Sequence, residues 1–558
     1  MKKVFTPLLT LLFTSILLVN VSAQTVIYTE GFDYSAGTIP PGWVIDAEQP
    51  PSWSVNVSQM AGGTAPELYL GYSMAAGLSR LVSPEIDVTG QTGLIISYLQ
   101  FLINYEMDFG EIIGMDITFD GGTSWQTLWE QPLSTLNIVQ GEYAYYFAVP
   151  SGATTVQYAF RYDGNCYAIN LWCIDNIKIE TVVNNDLLVA SFGGNITPSV
   201  GKNENYTIEI INGGLITQND YTVGLYKEGG ELLSSVQGSS IDFAEKVTYD
   251  LTWTPEEDET GNTVVYAVVQ LNGDEAVDND QSELLPVTVQ TEDIEPIEIG
   301  ENFTPVKFVP YNFFQLYSHT QTLYLADEID ANGEAITGIK YTAQFDEDEE
   351  GVEIHLMLGE TEQNNLTDDW LDPAAFTEVF NGTVNFRKGL NDFFIPFDNA
   401  YTYNGGNLIV QSVKSYTVAQ LFTSFICTYD TASQRSRAAE RDDQPFNPLS
   451  IPPWGYCVDL YPNITLLYSN STVNTSEIQQ TVHNVAIYPN PANDFVKLQS
   501  DETIVEVKIF NLMGQLVKHQ APGTNEFDLS VTELKSGTYV AHVQTAKGLS
   551  TQKIHVIK

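Results

Sequence analysis

Three observations predict an all-β chain of tandem β-sandwiches. Short runs rich in Val, Ile, Thr, Tyr and Phe, such as "LIISYLQFLI", "VQYAFRYDGN" and "NLIVQSV", alternate with clusters of Gly, Asn, Asp and Pro. No segment sustains a capped apolar stripe at the 3.6-residue helical period. Carboxylates, prolines and small polar residues gather at three breaks, near 180–186, 289–302 and 469–484. The breaks divide the chain into modules at 24–181, 184–290, 296–468 and 482–558. Residues 469–481, rich in Ser, Thr, Asn and Gln, read as a linker. In each module alternating side chains are expected to be buried between two sheets.

Ahead of the first module, residues 1–23 carry two lysines, an apolar stretch too short for a membrane span, and Val21-Ser22-Ala23 before Gln24. They read as a secretory signal peptide. No later run is apolar and long enough to cross a bilayer as a helix.

Charge is unevenly spread over the 558 residues. Of 23 basic and 71 acidic side chains, residues 481–558 hold seven lysines and seven carboxylates, so residues 1–480 carry 16 against 64. A field of that sign repels phosphate backbones and anionic membranes and argues against nucleic-acid or lipid-surface binding. It suits divalent cations, or simply solvates the surface. The four cysteines fall in two local pairs, Cys166 with Cys173 and Cys427 with Cys457. In an exported protein these read as two disulfides.

The first module reads "YTEGFDYSAGTIPPGWVIDAEQPPSW", "LVSPEID", "DITFDGGTSWQTLW" and "FRYDGNCYAINLWCIDNIKIE" in order. Thr118, Asp120, Gly122 and Trp125 have Asp-box spacing, in which the carboxylate closes a hairpin by accepting backbone N–H bonds while the Trp covers the core. In "LWCIDNIKI" the alternation sets Leu171, Cys173 and Asp175 on one face and Trp172, Ile174 and Asn176 on the other. Asp175 interrupts an apolar strand and needs a partner. Together these landmarks resemble the cleaved-adhesin family, also described as choice-of-anchor J and related to MAM jelly rolls. The resemblance implies a structural Ca²⁺, with Glu30, Asp46, Glu48 and Asp175 as its ligands. The alternative is that Asp175 and Glu30 cap backbone N–H groups. Trp43, Trp53, Tyr105 and Trp129 are candidates for a sugar-stacking platform, against core packing as the default.

The second module, from "DLLVASFGGNITPSVGKNENYTIEIINGG" to "VVYAVVQLNGDEAVDNDQSE", resembles the CARDB group of immunoglobulin-like adhesion modules and is expected to act as a spacer. Its terminal loop crowds Asp274, Glu275, Asp278 and Asp280, a like-charge cost to be relieved by solvent or a cation. The third, with "ITGIKYTAQF", "VEIHLMLGET" and "YTYNGGNLIVQSV", resembles a β-sandwich of unnamed function found in exported surface proteins. Its Gly405 and Gly406 are expected at positive φ, and its "FDEDEEG" run at 345–351 as a solvated hairpin tip.

Residues 482–558 carry Tyr488-Pro489-Asn490-Pro491, "IFNLMGQ" with Gly514, Ser536-Gly537-Thr538-Tyr539, and Lys553 near the end. They resemble the type A C-terminal sorting domain of the type IX secretion system. That implies engagement of the type IX machinery, passage across the outer membrane, removal of the tail, and release or surface attachment.

Outside the tail only His319 and His355 remain among the histidines, in no metal-protease spacing, and no nucleophile elbow or phosphate loop is present. The preferred expectation is a non-enzymatic adhesin or ligand-binding protein for a glycan or a host or matrix protein. The alternative is a carbohydrate-active enzyme or an accessory subunit of a secreted hydrolase.

Overall fold

The structure is a computed structural model and describes residues 24–557 apart from 106–109, 134–136, 330–333, 368, 421, 432–433, 470–484, 512–515 and 546–547. The expected signal peptide, most of the expected linker and Gly514 therefore lie outside the described residues. Among the described residues the chain is β-strand with four single-turn 3₁₀ segments and no α-helix, as the alternation predicts. It divides into two compact units at Thr472/Val473.

The larger unit begins with two facing six-stranded sheets. One runs Ile138–Ala148, Gly93–Asn104, Ile169–Thr181, Glu67–Gly71, Trp53–Asn56, with Val26–Glu30 added on Ile169–Thr181. The other runs Val44–Ala47, Ala76–Val82, Thr155–Asn165, Ile112–Thr118, Gln126–Pro132, with Ile86–Asp87 on Thr155–Asn165. Between them lies a core around Trp172, Trp53, Trp43, Tyr98, Tyr158 and Phe160. Each such side chain contributes roughly 1.5–3 kcal/mol by leaving water.

The strand Ile169–Thr181 shows how the pattern works and where it breaks. Trp172 and Ile174 alternate into the core as expected, yet Ile177 and Ile179 are also buried there. One extra residue is needed to return the apolar side inward. The register shifts between Asp175 and Lys178, and Asn176 takes φ +50°, the left-handed conformation Asn tolerates at a bulge.

A three-stranded sheet (Leu187–Gly194, Glu204–Asn212, Lys246–Trp253) and a four-stranded sheet (Glu231–Gln237, Tyr221–Lys227, Gly261–Leu271, Leu285–Val289) follow, closed on Tyr206, Tyr221 and Trp253. In the loop after Gly261–Leu271, backbone amides answer the crowded acids. Asp274 accepts from Leu187 and Ala276, and Glu275 accepts from Asn184 and Asn185.

The remaining pair, a seven-stranded and a six-stranded sheet, spans Ile294–Ser469 around Phe313, Phe345, Phe386 and Phe425. Gly405 has φ +92° as expected. Gly406 does not need positive φ; its amide donates to Glu360 at 2.9 Å. The "FDEDEEG" run is exposed, as expected of a solvated tip, at Glu347, Asp348 and Glu350. Phe345 and Glu349 are buried, and Gln344 exchanges amide bonds with the Asn137 backbone of the first sandwich. Phe101 meets Phe422 across the same boundary, with ring centroids 5.3 Å apart.

The smaller unit is one six-stranded sheet built on the long strand Phe495–Phe510, which pairs with Ala486–Tyr488, Gly537–Thr545, Leu516–Gln520 and Thr524–Ser530. Asn490 ties its start to its end: its side-chain amide donates to Lys553 O and accepts from the His555 amide, both at 2.8 Å. Tyr488 donates to Gln499 and Tyr539 to Lys535 O. Gly537 opens the strand Gly537–Thr545.

Candidate functional site

Asp175 is where the first sandwich concentrates buried charge. Its neighbours along the strand carry it onto the outer face of the sheet, where Gly63 presses directly on the carboxylate; a Cβ there would come within 2.0 Å of Oδ2. The side chain is fully buried. Oδ1 accepts the Asn176 amide at 2.7 Å, and the Thr64 amide also bonds to the carboxylate, the two together lowering its pKa. Burial first, then the charges of Glu67 and Asp33, push its pKa up to about 6.

Glu67 is the residue that sequence reasoning missed. It is fully buried and accepts from the Met60 and Ala61 amides at 2.9 and 2.8 Å. An acid inside "PELYLG" carries the same signal as the one inside "LWCIDNIKI": a charge set in an apolar strand.

Asp175 is the one member of the expected calcium set that the structure places at this point. Glu30 is used locally, accepting the Phe32 amide at 2.8 Å and the Tyr34 hydroxyl at 3.1 Å, which is the capping role weighed for it. Asp46 lies on the opposite sheet, in register with Arg80, and Glu48 follows it in the solvent. The four expected ligands are not brought together: Glu30 stands on the same sheet as Asp175, paired with Ile177 two residues away, but its oxygens are taken up locally, while Asp46 and Glu48 go with the opposite sheet. Among the described residues no group of three or more His, Cys, Asp or Glu side chains could hold a metal ion. A cation beside Asp175 would draw the rest of its shell from main-chain oxygens, Asn176 and water, the oxygen donors a hard cation prefers.

The aromatic candidates separate cleanly. Trp43 and Trp53 are 6% and 3% exposed and pack on Phe32, Tyr158 and Trp172. Trp129 stacks on Tyr145 at 5.5 Å and meets Trp172. These three serve the core and do not form a platform. Tyr105 does lie outside, 39% exposed, in a cluster with Tyr72 and Tyr167 whose rings stand edge to face at 6.1 and 5.0 Å. The three rings come from the ends of Glu67–Gly71 and Gly93–Asn104 and from the turn before Ile169–Thr181. They form an exposed aromatic group at one end of the sheet.

The Asp-box forms as expected at Asp120, whose Oδ1 accepts the Ser124 amide at 2.9 Å and whose Oδ2 accepts the Ser124 hydroxyl at 2.6 Å. These bonds and one from Thr118 lower its pKa to about 2. Trp125 differs from expectation. It lies under the Arg80 guanidinium, 5.0 Å from ring centroid to Cζ, instead of over the core.

All four cysteines are free, so the two expected bridges are corrected. Cys166 sits in the turn before Ile169–Thr181, and Cys173 lies well inside that strand, paired across to Tyr69 and Phe101. Cys166 is hydrogen-bonded to Ser73 and Ala75, beyond the end of Glu67–Gly71, whereas Cys173 stands opposite Tyr69 within it, so the two thiols are held at different points along that strand. Cys427 and Cys457 stand on different sheets, paired with Thr304 and Arg437 respectively. Burial raises the Cys427 thiol well above its ordinary range.

Residues 486–558 match the family model described as secretion system C-terminal sorting domain. No curated protein matches the chain. Among solved structures, the chain is similar to a CARDB domain from Pyrococcus furiosus solved with di-metal ions (24% identity, covering 19% of this chain and 89% of that one, TM-score 0.16). It is also similar to the K1 cleaved adhesin domain of Lys-gingipain from Porphyromonas gingivalis W83 (14%, 28% and 98%, TM-score 0.21). A third is a xylan-binding domain of a Paenibacillus barcinonensis protein (12%, 28% and 94%, TM-score 0.20). The chain thus carries a type IX secretion C-terminal sorting domain on an all-β body and is exported, to the cell surface or the medium.

Proposed function

We propose that the exported body is a non-enzymatic binding protein that takes a neutral saccharide on the tyrosine cluster of its first sandwich, with a structural Ca²⁺ at Asp175. The observation that carries this reading is the grouping of Tyr72, 48% exposed, and Tyr105, 39% exposed, with Tyr167. Large apolar rings normally leave water, and rings held outside at right angles to one another offer both flat faces and hydroxyls to a sugar. The surplus of acids before the tail turns away anionic glycans and leaves neutral ones. Calcium supplies positive charge to a fully buried carboxylate; Asp175, Asn176 and nearby main-chain oxygens would hold it. Removal of the tail after export completes the reading.

A glycan array probed with the full protein, with calcium and with chelator, tests it. Binding to a neutral glycan should weaken about tenfold or more in Tyr72→Ala and Tyr105→Ala, with the thermal midpoint held. A folded sample silent across the array overturns the proposal.

A further inference from the structure

The three sandwiches of the larger unit do not simply follow one another along the chain. Consecutive ones touch through Tyr146 and Phe243, whose ring centroids lie 6.2 Å apart, and through Lys202, which donates to Ile294 O at 2.9 Å. The first and third, separated in sequence by the second, also meet. Gln344 exchanges amide bonds with the Asn137 backbone, Phe101 packs on Phe422, and Lys388 donates to Gln140 O. Arg387, the residue before Lys388, reaches Glu283 of the second sandwich at 3.1 Å. The turn at Arg387-Lys388 therefore touches both other sandwiches and closes the three into a ring.

The acidic run of the third sandwich lies against this joint. Asp348 accepts the Lys388 amide at 2.7 Å. Asp346, two residues after Gln344, faces Tyr143 of the first sandwich, whose hydroxyl is pushed up to about 12 by burial and then by the Asp346 charge. Asp346 Oδ1 is buried without a hydrogen-bond partner. The donors around it are committed elsewhere: the Tyr143 hydroxyl donates to Val139 O at 2.9 Å, Lys388 to Gln140 O, and the Lys307 ammonium stands over the Phe422 ring at 6.0 Å. A carboxylate closed into a joint without a donor is costly when charged. Burial raises its pKa to about 7, with Glu347 adding to the rise and Lys388 and Lys307 opposing it.

We infer that the contact between the first and third sandwiches is a pH-operated latch, closed while Asp346 is protonated and released as it ionises. Protonated, the carboxyl has no charge to desolvate, and the Gln344, Phe422 and Lys388 contacts hold. Ionised, it regains its hydration only when the joint opens to water. The seam is suited to opening, because it pairs hydrogen bonds with an aromatic contact instead of a broad apolar surface. Release leaves the second sandwich as the hinge and exposes Phe101 and Phe422. The sign follows from linkage: the closed joint holds the Asp346 proton more tightly than the open one, where the ordinary 3.8 applies. Closure is therefore favoured fully below about pH 4 and loses that support as pH rises through about 7.

The test is amide exchange on the full-length protein, read residue by residue at about pH 5.5 and about pH 7.5 and normalised at each to the unfolded chain. The reporter is the Asn137 amide, which donates to Gln344 across the joint; amides of the core strand Thr155–Asn165 report unfolding of the whole sandwich. Opening at Asn137 should rise about twentyfold between the two pH values, well beyond any rise in the core strand. The rise should vanish in Asp346→Asn, which carries no charge to release the latch. Gln344→Ala should speed exchange at both pH values and keep the rise. Asn137 exchange that only follows the core strand overturns the inference, as does a rise undiminished in an Asp346→Asn chain whose thermal midpoint is held. Asp346, Gln344 and Asn137 belong neither to the tyrosine cluster nor to the Asp175 site, so this result stands apart from the saccharide reading.

Discussion

At the scale of single residues, Asp175 is a position whose ionisation the fold resists. Its folded pKa, about 6, exceeds the ordinary 3.8 because burial penalises the charge. The folded carboxyl therefore holds its proton more tightly than the unfolded one. Its contribution favours folding most below about pH 4 and is lost as pH rises to about 6. A cation at Oδ2 would cancel that loss. Thermal melts in chelator should thus show Asp175→Asn more stable than the parent at pH 7 and equal to it near pH 4. Calcium should raise the midpoint of the parent and leave that of Asp175→Asn unmoved. A parent indifferent to calcium at pH 7 would remove the metal from the proposed function. Asp175 is legible in the sequence because a charge in an apolar strand needs an explanation, and Glu67 was open to the same logic. The tryptophans were not, since spacing along a strand does not say which face meets the other sheet. Nor were the cysteines: proximity in sequence is a poor guide to proximity in space when both fall in or near one extended strand.

At the scale of elements, the first sandwich is braced by an ion network that no motif announces. Asp116, 1% exposed, takes the Arg80 Nε at 2.7 Å and the Arg161 Nε at 3.3 Å, while Arg161 reaches Glu130 at 2.7 Å. The three strands that carry Arg80, Arg161 and Asp116 are neighbours in one sheet, so their side chains share a face only once register is fixed. Removing the acid strands the mostly buried Arg80 guanidinium and leaves Arg161 with Glu130. Asp116→Ala should cost about 3–5 kcal/mol in denaturant unfolding, and a loss below about 1 kcal/mol would mean that water reaches the arginines. The Asp-box hairpin sets a contrast. Asp120 lies in solvent with a pKa near 2, so its bonds to Ser124 and Thr118 order a turn without anchoring a core. Asp120→Ala should speed amide exchange at residues 121–124 and leave the global melt within a few degrees. Those two aspartates stand four residues apart, and the strand period alone tells neither role.

The whole molecule carries its acidity in a way that shapes both stability and export. Asp186 and Asp280 have pKa values near 6 and Asp346 near 7, each raised chiefly by burial. With Asp175 they make folding take up protons between about pH 4 and 7. His319, depressed to about 4 by burial, opposes them over part of that range, since the unfolded ring gains a proton first. Lys414, lowered to about 7 by burial, opposes them at the top of it. Four acids against these two bases predict that apo stability declines from pH 4.5 to 7, checked by urea midpoints in chelator; a rising midpoint would show the acids to be solvated. The tail stands apart from this. With seven lysines and seven carboxylates, residues 481–558 carry no net charge to pull them onto the acidic body, and they form a compact unit of their own. An export address needs that independence: it must present the same surface whatever cargo precedes it. Deleting residues 486–558 should therefore leave the body folded but hold it inside the cell envelope, and the same tail fused to an unrelated periplasmic reporter should carry that reporter out. If the truncated chain still reached the medium in a cell with an intact type IX system, the export signal would have to lie in the sandwiches themselves.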